Sequence, residues 1–191
     1  HQEFVFLQYQ YEANDKFIIN LGNRIDVPND YKTQWFSPKL SARYNVNKYF
    51  YIKASGGRGY RAPEIRQQYL NFTNNLVGYS VFGTNVAIEQ LDLLHSQGAI
   101  TYNIDRNKLK ELKPESSWAF NGEIGFNPIP NKLSLSANYF RNEISNLIES
   151  SVIATKTQNG ALIYSYFNLK KIFTQGLETE FSYNILKGLT L

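Results

Sequence analysis

Apolar and polar residues alternate along most of this chain. Val5, Leu7, Tyr9 and Tyr11 fall at every second position, with Gln8, Gln10 and Glu12 between and after them. The same period recurs in Phe17, Ile19, Leu21 and Ile25 against Asn20, Arg24 and Asp26. It recurs again in Leu40, Ala42 and Tyr44 against Lys39, Ser41 and Arg43, and in Phe50, Ile52 and Ala54 against Tyr51, Lys53 and Ser55. After a long gap it returns in Trp118, Phe120, Ile124 and Phe126, in Leu133, Leu135, Ala137 and Tyr139, and in Leu177, Phe181 and Tyr183. Successive side chains of a strand point to opposite faces, so this period predicts β-strands with one apolar and one polar face. Seven strands are predicted, with an eighth beginning after Gly188.

The connections differ in length. Short turns are predicted at Ala13-Asn14-Asp15, Asn45 to Lys48, Asn127 to Asn131 and Asn184 to Gly188. Longer loops are predicted from Val27 to Thr33, from Arg61 to Lys113 and from Ser150 to Gly160. In an up-and-down meander the short turns then fall at one end and the long loops at the other. The 61–113 gap is long for a structureless loop. Its apolar runs, Val77 to Phe82 and Leu91 to Leu94, predict local structure of its own. The run Asp105 to Lys110 is expected to be a solvated part of it.

Two motifs bracket that gap. Gly57-Arg58-Gly59-Tyr60-Arg61-Ala62-Pro63-Glu64 precedes it and Glu111-Leu112-Lys113-Pro114-Glu115 closes it. The glycines and Pro63 are expected to end a strand at Gly56-Gly57. No Gly-Lys-Ser/Thr follows, so a phosphate loop is not indicated. Glu111 and Glu115 lack a supporting constellation for hydrolysis.

Composition narrows the choices. Aromatics are 15% of the chain, and many sit near predicted strand ends, as at Trp35-Phe36 and Tyr164 to Phe167. There they suit either a membrane interface or the core of a soluble sheet. No apolar run is long enough for a transmembrane helix, but a barrel crosses with strands whose mean hydropathy stays low. The absence of Cys removes disulfide and thiol-metal sites, and neither His has metal-ligand spacing. The net charge of +4 comes with no basic stripe, so nucleic acid is not an expected partner. His1 is expected to be a remnant of expression. Both ends fall within strand-like runs, which predicts a fragment. Periodicity alone leaves two readings open: a soluble β-sandwich binding a ligand or glycan, and a membrane barrel.

Five motifs in order carry a resemblance. They are Trp35-Phe36-Ser37-Pro38-Lys39-Leu40, Ala54 through Glu64, Leu112-Lys113-Pro114-Glu115, Asn138-Tyr139-Phe140-Arg141-Asn142-Glu143-Ile144, and Thr174-Gln175-Gly176-Leu177-Glu178. Over nearly its whole length the chain resembles the β-barrel domain of TonB-dependent outer-membrane receptors. One stretch, Thr84 to Asn107, departs from that pattern. The resemblance implies an all-β fold: antiparallel up-and-down strands forming a segment of a large transmembrane β-barrel. Residues 1–191 would be part of the wall, with the plug and closing strands absent, and 61–113 a long extracellular loop. It implies a receptor that is not an enzyme, with no cofactor and no metal site. It would lie in the bacterial outer membrane and take up a ferric siderophore, haem or cobalamin with energy from TonB, which contacts the missing plug. Leu133, Leu135 and Ala137 would face lipid. Ser134, Ser136, Asn138, Glu178 and Glu180 would face the lumen and plug. The outer-loop ligand candidates are Arg58, Arg61, Tyr69, Phe72, Tyr79 and Phe82. Arg58 and Arg61 are also candidates for structural pairing with Glu64 or a lumenal carboxylate.

Overall fold

The computed structural model describes residues 2–28, 34–186 and 189–190. In chain order the elements begin with β1 (Gln2–Ala13), β2 (Phe17–Pro28), β3 (Trp35–Asn45), β4 (Phe50–Arg61) and α1 (Ile65–Tyr69). Then come β5 (Asn71–Asn74), β6 (Tyr79–Phe82), α2 (Thr84–Ser96) and β7 (Ile100–Tyr102). Last are β8 (Glu115–Ile129), β9 (Leu133–Lys156), β10 (Leu162–Leu186) and β11 (Leu189–Thr190). The expected loop residues Asn29 to Thr33, and Lys187 and Gly188 of the expected last turn, lie outside the described residues, as do His1 and Leu191. The chain divides into two compact units: His1–Tyr60, Ser117–Ile144 and Phe173–Leu191 form the first, and Arg61–Ser116 and Ser145–Ile172 the second.

The first unit is an antiparallel meander. β1 pairs with β2 from Gln2 opposite Pro28 to Ala13 opposite Phe17, and β2 pairs with β3 from Phe17 opposite Tyr44 to Asp26 opposite Trp35. β3 pairs with β4 from Lys39 opposite Gly57 to Asn45 opposite Tyr51. β8 lies next to β4, β9 next to β8 and β10 next to β9. The contacts Tyr51–Glu123 and Ser55–Asn121 run in opposite directions along β4 and β8, so this pair is antiparallel too. Asn14 and Asn131 take left-handed φ of 60° and 61° in the short turns, a conformation that Asn tolerates.

The register builds two faces of opposite character. Tyr9, Leu21, Leu40 and Gly56 form one row, and Tyr11, Ile19, Ala42 and Ala54 the next. That face is exposed: Leu7 is 75% accessible, Leu177 69% and Phe181 59%. The other face carries Gln10, Asn20, Ser41, Ser55 and Asn121, with amide-to-hydroxyl bonds of 3.4 Å at Asn20–Ser41 and Asn121–Ser55. A β-sandwich would bury the apolar rows against a second sheet. Here they stay open, and the soluble-sandwich reading is set aside.

The second unit holds the core. Phe82, Ala87, Leu91, Ile100, Leu109, Ile153, Ala154 and Ile163 pack together. Ala87, Leu91 and Leu94 share one face of α2, which ends before Gly98 at φ 68°. β6 pairs in parallel with β10 (Tyr79 opposite Leu162, Val81 opposite Tyr164), β5 pairs antiparallel with β6, and β7 with β9.

Three boundary expectations are corrected. β4 does not stop at Gly56-Gly57 but runs on to Arg61, and its glycines serve close packing. A Cβ on Gly56 would lie 3.3 Å from the Phe120 ring, and one on Gly59 3.1 Å from Ser117 Oγ. The expected loop from Ser150 to Gly160 is mostly strand: β9 continues to Lys156, and only a turn through Asn159 and Gly160 remains. β9 therefore has 24 residues, more than twice the roughly 9–11 that cross a bilayer. The run from Asp105 to Lys110 is not all solvated. It forms a 3-10 turn at Arg106–Lys108 and buries Leu109 to 3% exposure.

Candidate functional site

The polar face of the first unit is a wall of hydrogen-bonding side chains. Asn138 donates from Nδ2 to Glu178 Oε2 at 3.3 Å, so these two predicted lumenal residues share a face. Asn138 also lines a hollow with Lys53, Ser55, Asn121 and Glu123, which places it on the side of the polar rows. Ser134 lies with Ser182 and Asn184 near the Asn131 turn. Ser136 is half-buried and Glu180 exposed. Tyr51 Oη donates to Glu123 Oε1 at 2.7 Å, and the Tyr51 ring lies across Gly125, where a Cβ would displace the ring. Near the short turns the wall turns positive: Lys16, Arg43 and Lys48 line a hollow of about 410 Å³.

In the second unit the two bracketing motifs meet. Arg61 Nε and Nη2 donate to the two Glu115 oxygens at 2.7 and 2.8 Å, and Glu115 Oε1 also accepts the Ile148 N–H at 2.8 Å. Arg61 has Glu64 at 3.6 Å as a second partner. The chain's return is held by Asn168, whose side chain accepts from Lys113 N–H at 2.8 Å and donates to Lys113 C=O at 2.9 Å. Glu115 is thus a structural anchor and forms no acid–base pair with Glu111.

The segment between these anchors is fastened at several points. Thr84 Oγ1 donates to the Tyr166 carbonyl at 2.8 Å, fixing the start of α2 on β10. At the helix's far end Arg106 Nε and Nη2 donate to Asp92 at 2.6 and 2.7 Å, and Tyr102 Oη donates at 2.8 Å. The Arg106 and Tyr102 hydrogen bonds hold the Asp92 carboxyl down at about 2. Burial, then the Asp92 hydrogen bond, pushes the Tyr102 phenol up, and the same carboxylate raises Arg106.

Alternation sorts the aromatic candidates. Ser80 and Phe82 of β6, with Ile163 and Ser165 of β10, point into the core. Tyr79 and Val81 point the other way, as do Tyr164 and Tyr166, and with Ser150 they line a depression of about 300 Å³. The Tyr79 ring is 6.3 Å from Tyr164 and 6.1 Å from Phe72. Tyr79 and Phe72 therefore come together, while Phe82, three positions from Tyr79, is buried to 6% exposure and is withdrawn from the exposed set. Tyr69 is 59% exposed at the end of α1. Arg58 makes ring contacts, at 4.6 Å to Tyr60 and 5.7 Å to Trp118. Sequence reasoning missed Tyr164 and Tyr166, though their spacing of two on a strand was the available signal. It also missed the Asp92–Arg106 clamp, which spans 14 residues and leaves no local signature.

The family profile described as "TonB dependent receptor-like, beta-barrel" matches residues 1–191. The ferric enterobactin receptor PirA of Pseudomonas aeruginosa is 25% identical over 178 residues, 91% of this chain and 21% of that protein. The ferrienterobactin receptor of Escherichia coli is 25% identical over 175 residues, with the same shares. This chain thus spans about a fifth of these curated relatives. Among solved structures, the siderophore receptor PirA from P. aeruginosa superposes with a TM-score of 0.73 at 20% identity, over 99% of this chain and 32% of that one. The Serratia marcescens hemophore receptor HasR gives 0.69 at 15%, over 96% and 32%. The meander with its apolar outer rows and polar wall has this fold, and with the profile matching end to end the chain belongs to the TonB-dependent receptor β-barrel family.

Proposed function

We propose that the chain is part of the wall of a bacterial outer-membrane receptor that imports a ferric siderophore using energy from TonB. The observation that carries this is the exposed, continuous apolar face set against a polar one. Water disfavours such a face, at roughly 25 cal/mol per Å², whereas lipid accepts it. A closed barrel pairs every backbone group within the bilayer. The polar wall then faces the lumen and plug, with Ser134, Ser136, Asn138, Glu178 and Glu180 among its side chains. The relatives named as ferric enterobactin receptors favour a siderophore over haem or cobalamin. The anchored segment 61–113 lies outside the cell, and Tyr79, Tyr164, Tyr166 and Phe72 offer ring faces to an aromatic chelate.

The test uses the receptor that carries this chain. An epitope placed between Leu76, which is 98% exposed, and Val77 is probed on intact cells. Antibody labelling and cleavage by external protease are expected. Labelling only after lysis, at normal expression, would overturn the topology. Growth on ferric enterobactin as the sole iron source, compared with a deletion strain, tests the cargo.

A further inference from the structure

We propose that the outer edge of β5 docks an uncharged, extended peptide segment of a molecule outside the cell, which pairs with it as an added antiparallel strand. The proposal rests on the reading above that residues 61–113 lie outside the cell. In the second unit the strand order runs β10, β6, β5, and among the described residues β5 pairs with β6 alone. Hydrogen bonds alternate along an antiparallel pair, so the register tells which backbone groups are left over. Gly83 N–H donates to the Leu70 carbonyl at 2.6 Å, and at the other end Gly78 N–H donates to the Asn74 carbonyl at 2.9 Å. Leu70, Phe72 and Asn74 therefore bond inward to β6. The N–H and C=O groups of Asn71 and Thr73 point outward.

The edge carries no guard. Proteins blunt exposed edges with Lys, Pro or a bulge. β5 has none of these: it reads Asn-Phe-Thr-Asn, and its register advances one residue at a time from Asn71 opposite Phe82 to Asn74 opposite Tyr79. No charged residue occurs from Gln67 to Ile88. A charge on the incoming strand would be desolvated there without a partner, so the segment that fits is itself uncharged.

Side chains define the guest further. Thr73 Oγ1 lies 3.0 Å from Ser80 Oγ on the core side, whereas Phe72 faces the open side, 6.1 Å from the Tyr79 ring. Asn71 and Thr73 supply the hydrogen-bonded pairs, so the guest residue opposite Phe72 falls in a non-hydrogen-bonded pair, where cross-strand side chains are closest. An aromatic or β-branched residue suits that place, with Thr, Ser or Asn on either side of it. Leu76 and Val77 beyond one end of β5, and Tyr69 beyond the other, are exposed and extend the apolar contact. A second copy of this chain is not the occupant. β5 is antiparallel to β6 and β6 is parallel to β10, so two copies paired antiparallel through β5 would run their β10 strands in opposite directions. Two receptors inserted the same way round in one membrane cannot meet like that.

The test is amide hydrogen exchange of the full-length receptor in detergent, with the capped peptide acetyl-Ser-Thr-Phe-Thr-Ser-amide as the probe. In the receptor alone the amides of Asn71 and Thr73 should exchange faster than those of Phe72 and Asn74, and saturating peptide should slow them about tenfold. Peptide methylated at both Thr nitrogens, which face β5, should give no protection, whereas methylation at the Phe nitrogen, which faces away, should leave it intact. Thr73→Pro removes an outward donor, keeps the bonds to β6 and should weaken binding about tenfold. Slow exchange at Asn71 and Thr73 in the receptor alone overturns the proposal, since the receptor's own chain then covers the edge. Equal protection by the Thr-methylated peptide, or undiminished binding to Thr73→Pro, also overturns it. Should Thr73→Pro fail to assemble, Phe72→Ala is expected to weaken binding about threefold, and an unchanged affinity there defeats the site as well. Epitope labelling between Leu76 and Val77 on intact cells separates the two levels. Labelling only after lysis means that the extracellular reading has failed, whereas surface labelling without protection by the peptide defeats only the docking edge.

Discussion

Arg61→Met should loosen the junction where the 61–113 segment leaves and rejoins the sheet. The methionine keeps most of the stem and removes both charged hydrogen bonds, of 2.7 and 2.8 Å, to Glu115. The Glu115 side chain is only 10% exposed, while that of Arg61 is 49% exposed. A fully buried pair broken on one side costs about 3–5 kcal/mol and an exposed pair costs at most about 1. This pair lies between those limits, and Glu115 keeps its bond from the Ile148 N–H, which offsets part of the loss. The expected cost is about 2 kcal/mol, or about thirtyfold in the local opening equilibrium. Hydrogen exchange at the Ile148 amide reads it directly, because that amide donates to Glu115 itself. The double variant Arg61→Met with Glu115→Leu should recover part of the protection, since no unpaired charge remains. Wild-type exchange at Ile148 in Arg61→Met would refute the reasoning and leave the pair an incidental surface contact.

Three further outcomes are expected. Gly83→Ala sets a methyl against the backbone of Gln68 and Tyr69, which cannot give way as a side chain can, so the second unit should lose about 1–3 kcal/mol and become sensitive to limited proteolysis. Asp92 has a depressed pKa of about 2, so its contribution is complete above the ordinary carboxylate value and is lost as pH falls from there through 2. Amide exchange at the end of α2, corrected for its intrinsic pH dependence, should speed up over that window in the wild type and stay flat in Asp92→Asn. On the proposed topology Leu135→Arg sets a charge against lipid at a cost of up to about 2–4 kcal/mol, whereas Ser136→Arg, one residue on, would point into the lumen. Heat-modifiable mobility of the assembled receptor should fall in the first and persist in the second, and the reverse order would show the faces to be misassigned.

The long strands were legible because their signal is local. Along most of β2, β3 and β8, and along β1 from Leu7 onward, apolar residues alternate with polar ones, and the register then aligns the rows. The end of β4 was not legible, for a tertiary reason. Gly56, Gly57 and Gly59 look like chain breakers, yet glycine also suits a strand pressed against a bulky neighbour. What decides between the two is Phe120 and Ser117, which approach from sixty residues away in sequence. The far half of β9 failed differently. Ile153 and Ala154 are both buried where a half-buried strand would bury only one, so the alternation vanishes and the segment looks like loop.

The site was half legible, and strand parity explains which half. Phe72 and Tyr79 look equivalent to Phe82 in composition, since all three are aromatics within the 61–113 gap. Their fates follow from position on the β5–β6 hairpin: Phe72 sits opposite Val81, the open-side neighbour of Tyr79, whereas Phe82 is one step out of phase. A hairpin prediction for 71–82 would have separated them, but the sequence offers only Asn75 to Gly78 as a turn signal, with two apolar residues in its middle. Asn74 supplies the missing logic. Its Oδ1 accepts from the N–H groups of Leu76 and Val77 at 3.0 and 3.1 Å, and Gly78, at φ 80°, donates back to the Asn74 carbonyl at 2.9 Å. The turn is built by one amide and one left-handed glycine, so the side chains at its tip are free of any folding duty. Leu76 at 98% and Val77 at 74% exposure are there because nothing in the hairpin requires them to be polar. Loop residues of this kind change without cost to the fold, while the inner strands of the meander are fixed by pairing on both sides.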